Sequence, residues 1–266
     1  ISACLVGSEM CIRDSAGIRD FAETLPALGR GQWSTFFDVA AEPEEIGLER
    51  PFYPRRAIVK GAASRHHLEV GLGIPFARLR RRCEHGYPAT PLQPGRPAAA
   101  PLFWLVGGQQ VGRAAIHGWQ TVLQPALRRG ADVAMWPHQG PLQELVMKHQ
   151  MTVVEAYPAE FARHLGLAGA RWSKRSPVDR TSCGVHLVAW AAAHDIALEK
   201  GPREWLLQGC GSGPAGEDPF DALVGLLGML NVIMGGQPAG PPELGRNVSV
   251  VEGWIFGQVR SGLRPT

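Results

Sequence analysis

Apolar positions along the chain fall into two kinds of run. Short runs closed by proline or glycine, at 101–106, 131–136 and 151–158, read as buried strands. A further aromatic-rich run at 34–40 also reads as a strand. Apolar residues at helical spacing predict helices over 21–28, 66–72, about 113–129, 159–165, 178–194, 203–208 and 219–234. The stretch 248–256 reads as a closing strand or an ordered tail. Residues 43–47 predict a turn, and the prolines of 50–56 a loop. The Pro- and Gly-rich stretch 86–100 is expected to be a loop or lid. Strands alternating with helices predict a single α/β domain over 16–266, a sheet flanked by helices.

The helix expected at 219–234 begins with three carboxylates, Glu217, Asp218 and Asp221. One reading is capping, with Asp218 as N-cap and Pro219 at the first helical position. The other is a divalent-cation ligand set. Asp221, Gly225, Gly228 and Val232 share one helical stripe, and its small residues predict close packing against a sheet.

Glu155 stands near the carboxyl end of an otherwise apolar strand, where parallel sheets place ligands. A buried carboxylate there calls for a partner, either a metal or an arginine such as Arg113 or Arg163. A strand Glu with a helix-entry Asp suits Mg²⁺ or Mn²⁺, whose hard ions take oxygen ligands. Arg113 opens a helix after the glycine-rich 107–112, and the run Arg78, Arg80, Arg81 and Arg82 is strongly basic. These are the candidate phosphate contacts, Arg113, Arg80 and Arg81, against the alternative of a solvated face. The glycine turn has neither the P-loop ending nor the dinucleotide spacing. Cys83 and His85 lack a second ligand pair for zinc.

Residues 1–15 resemble translated sequencing-library adapter rather than protein, and lack signal-peptide organisation. Outside them the five cysteines reduce to Cys83, Cys183 and Cys210, widely separated, which fits a reducing cytosol and no disulfide framework. No apolar run reaches membrane-spanning length. The net charge of +3 permits a nucleic-acid partner without requiring one.

A set of motifs then follows in order: Leu102-Phe103-Trp104-Leu105-Val106-Gly107, Glu155-Ala156-Tyr157-Pro158, His164-Leu165-Gly166, Lys174-Arg175, Glu217-Asp218-Pro219-Phe220-Asp221-Ala222 and Val251-Glu252-Gly253-Trp254. Together they resemble a domain-of-unknown-function family described as predicted nucleases with an RNase H-like fold. The resemblance covers nearly everything after Gly17. It implies an RNase H-like mixed sheet, with a first-strand Asp that has no counterpart here. It also implies metal-dependent phosphodiester hydrolysis through Glu155, Asp218 and Asp221, with Glu155 and Asp221 ligating Mg²⁺ or Mn²⁺. The family's Trp-Pro-Phe-Asp-Gly-like turn reads Trp136-Pro137-His138-Gln139-Gly140, without its acid. A chain truncated at that first strand is expected to be inactive. The alternatives are a non-catalytic nucleic-acid or nucleotide binding module, a small-molecule phosphotransferase and a scaffold.

Overall fold

The computed structural model describes residues 18–55, 62–89, 95–106, 111–167, 172–241, 244–246 and 248–259. The adapter-like segment, the glycine turn at 107–110 and part of the 86–100 loop lie outside them. The described chain is mixed α/β, rich in helix, with a two-stranded parallel sheet. It divides into two compact units. One gathers the residues up to Glu155 with Pro241–Ile255, the other Ala156–Gly240 with Phe256–Val259.

In the first unit, α1 (Arg65–Leu72) starts at Ser64, whose Oγ accepts from the His66 backbone N–H at 3.2 Å. It ends at Gly73, whose φ of 67° is the left-handed conformation a helix stop favours. Leu68 and Leu72, four apart, are its buried face. The helix expected at about 113–129 is α2 (Val111–Gly118), continuing through a wider turn, Trp119–Leu123, into Gln124–Arg128. The core is aromatic: the Phe52 ring lies 5.2 Å from Phe103, 5.7 Å from Phe36 and 6.5 Å from Trp119.

The 34–40 run forms turns rather than a strand. Phe36 N–H donates to Trp33 O and Asp38 N–H to Thr35 O. Consecutive Phe36 and Phe37 are both buried, which a coiled turn permits and a half-buried strand does not. The 101–106 run makes one parallel bridge, Tyr53 to Trp104. Pro51, Pro54 and Pro101 flank it, and proline has no N–H with which to extend a ladder.

Strand β1 (Val133–Met135) is closed by Pro137 as expected. After α3 (Leu142–Lys148) it pairs in parallel with β2 (Met151–Val153), Val133 opposite Met151. Just beyond β2, Glu155 bridges in parallel to Ile255. The 248–256 stretch is therefore partly a strand neighbour, preceded by a helical turn over Val248–Glu252.

The second unit is helical: α4 (Pro158–His164), α5 (Pro177–Ala193), α6 (Lys200–Leu207) and α7 (Glu217–Ile233). Gly184 lets α5 approach α6, since a Cβ there would meet the Leu206 carbonyl oxygen at 1.9 Å. Gly228 of the small-residue stripe of α7 meets a helix, not the expected sheet. A Cβ at Gly228 would lie 2.1 Å from the Phe161 ring of α4. Among the described residues no helix is long and apolar enough to cross a membrane.

Candidate functional site

Glu155 is buried in the first unit and its partner is Arg81, an arginine expected on a solvated face or a phosphate. Proline and short 3₁₀ turns fold the basic run 76–84 inward instead of into one helix. Arg81 is 2 % exposed. Its Nη1 donates to Glu155 Oε2 at 2.6 Å and its Nη2 to Oε1 at 2.5 Å, a bidentate clasp. Its Nε donates to Glu84 Oε1 at 2.8 Å, and its backbone N–H to Glu84 Oε2 at 2.9 Å. Nη1 also reaches the Glu252 carbonyl at 3.3 Å, while Glu252 Oε2 accepts from the Arg82 N–H at 3.1 Å.

Two buried carboxylates, Glu84 and Glu155, thus bond one guanidinium, which a third buried acid, Glu252, meets through its backbone carbonyl. Burial pushes the Glu84 and Glu252 carboxyls above their ordinary pKa, against the pull of Arg81 on the first, and of Arg82 and then Arg81 on the second. Glu84 and Glu252 carried no sequence signal beyond the Arg-x-x-Glu spacing and an acid inside an apolar motif.

Beside Glu155 a recess is lined by Met135, Trp136, His138, Val153, Val154 and Trp254 among others. His138 Nδ1 lies 3.0 Å from the Val250 carbonyl, which can only accept, so Nδ1 carries the proton. Burial pushes the His138 pKa down and keeps the ring neutral.

The other expected phosphate contacts lie elsewhere in this unit. Arg80 Nε donates to Ala99 O at 3.2 Å, and its guanidinium carbon is 5.8 Å from the Phe76 ring centre. Arg65 stands over the same ring at 4.8 Å. Burial lowers the Arg80 pKa, Glu84 raises it, and the neighbouring Arg65 lowers it further. Arg113 is exposed and donates to the Arg55 carbonyl at 2.5 Å.

Asp218 and Asp221 belong to the second unit. Asp218 does not cap α7: the N-cap is Gly216, without a side-chain bond, because a 3₁₀ turn over Gly213–Gly216 runs directly into the helix. Asp221 pairs with Lys174 Nζ, so two motifs far apart in sequence meet. Burial raises the Asp221 pKa, Lys174 opposes this, and Asp218 and Glu217 add to it.

Among the described residues no group of three or more His, Cys, Asp or Glu side chains is placed to hold a metal ion. With both Glu155 oxygens taken by Arg81, the arrangement does not fit a divalent cation there. No protein-family model, curated protein or solved structure matches the chain.

Proposed function

We propose that the chain is a phosphate-recognising module for nucleic acid or nucleotide, built on an RNase H-like α/β architecture and not catalytic in this arrangement. The carrying observation is the pair of guanidiniums, Arg65 and Arg80, drawn to the single Phe76 ring. Two like charges held near one ring repel each other, and an anion between them relieves that cost. The ring itself is buried, so recognition rests on the two charges and not on base stacking. Two of the three candidate catalytic carboxylates have cationic partners, Arg81 for Glu155 and Lys174 for Asp221.

The experiment is fluorescence anisotropy with labelled single-stranded, duplex and hybrid oligonucleotides across a salt titration. Wild type binds with salt-dependent affinity, and the double variant Arg65→Gln/Arg80→Gln binds about tenfold or more weakly, each lost phosphate contact being worth a share of the electrostatic affinity. Equal binding by the double variant sinks the proposal.

Cleavage that requires added Mg²⁺ or Mn²⁺ and disappears in Glu155→Gln would overturn the non-catalytic reading.

A further inference from the structure

Among the described residues, Arg180 is the most completely buried arginine of the second unit, with 0 % of its surface exposed. Its hydrogen bonds run to carbonyl oxygens. Nε donates to Gly209 O at 2.7 Å, Nη2 to Gly211 O at 2.8 Å and to Gly213 O at 3.0 Å, and Nη1 to Lys174 O. The turn it gathers is built for this. Gly209, Gly211 and Gly213 have φ of 68°, 110° and 60°, and Cys210 between them has 60°. Such angles suit glycine and aim successive carbonyls at one centre.

The turn leads into α7, whose first residues carry Asp221. The remaining acceptor, the Lys174 carbonyl, belongs to the residue whose ammonium meets Asp221. One side chain therefore fixes the backbone on both sides of that pair. It also stands against Gly216, the N-cap of α7: a Cβ there would lie 2.5 Å from Arg180 Nη2. The guanidinium fills the space in which a capping side chain would stand, which accounts for a helix that begins without one.

We propose that Arg180 is a positioning residue that sets the Lys174–Asp221 pair. Its role does not depend on whether the chain binds nucleic acid, since the pair is read without any ligand. The readout is the rate of reductive methylation of Lys174 by formaldehyde, followed by peptide mass spectrometry. Lys148 and Lys200, with side chains 65 % and 87 % exposed, serve as internal references.

In the wild type Lys174 reacts more slowly than both references, and Asp221→Asn raises its rate several-fold. Arg180→Gln raises it to a similar rate, and Arg180→Lys only partly, because an ammonium cannot span four carbonyls. Gly216→Ala, which pushes on the guanidinium from outside, does the same in a chain that keeps Arg180. Leu187→Ala, a core truncation on the same helix α5, leaves the Lys174 rate at the wild-type value. The proposal is overturned if Asp221→Asn leaves Lys174 unchanged. It also fails if Gly216→Ala and every folded Arg180 variant keep the wild-type rate, or if Leu187→Ala raises it as much as they do.

Discussion

Arg81 and Arg180 are both buried arginines, but they meet different partners and respond differently to change. Arg81 neutralises carboxylates, so its removal strands buried negative charge. Arg81→Met should cost about 3–5 kcal/mol in denaturant unfolding, the usual penalty for breaking a buried pair from one side. The double variant Arg81→Met/Glu155→Met should cost less than Arg81→Met alone, because the clasped charge leaves with its partner. Equal losses would mean that Arg81 acts through packing and not through its bond to Glu155.

His138 makes a separate prediction at this scale. Its folded pKa lies below the ordinary value of 6.5, so the unfolded chain binds the extra proton first. The stability tied to the neutral ring is present above about pH 6.5 and is lost as pH falls toward the folded pKa. His138→Phe keeps ring packing against Phe21, 4.8 Å away, and removes the titration. Thermal unfolding between pH 7.5 and 5.5 should therefore show a shallower pH slope in the variant than in wild type.

At the scale of elements, α4 and α7 meet through Gly228, where a methyl group would overlap Phe161. Gly228→Ala should destabilise by about 1–3 kcal/mol, the cost of overpacking a filled contact, and outweigh the gain in helix propensity. Its midpoint in urea reports this directly. The helices of the second unit were legible in the sequence because each carries a periodic face and a proline or glycine boundary. Strands β1 and β2 were legible from β-branched runs stopped by proline. The 34–40 and 101–106 runs misled, since aromatic content signals burial but does not say which neighbour supplies hydrogen bonds. For the candidate site, Glu155 was legible as a buried acid in need of a partner. Its partner was not, because Arg81 lies in a basic run whose inward fold is set by short turns. The stripe through Asp221 was legible as a packing face, while the nature of the opposing element was not.

At the scale of the whole molecule, the chain has a net charge of +3 and a pI near 8.7, too mild a field to hold nucleic acid without a local site. Binding through the Arg65–Arg80 pair alone predicts a plot of log affinity against log salt with a slope of about −2, each neutralised phosphate contributing about −0.9 on duplex. A much steeper slope would place most of the contact elsewhere on the surface. The two units differ in what organises them, an aromatic core with an acid–guanidinium hub in one, and close helix contacts with a carbonyl-binding arginine in the other. That arginine also restricts what the sequence can become. With Arg180 in place, position 216 has room only for glycine, and a conventional Ser or Asp cap there would collide with it. A change at either position leaves the helix start with neither device, so the path to an ordinarily capped helix runs through a less stable intermediate. Position 216 is expected to stay glycine even where position 180 changes, since a Cβ there would also stand 2.9 Å from the Gly211 carbonyl oxygen.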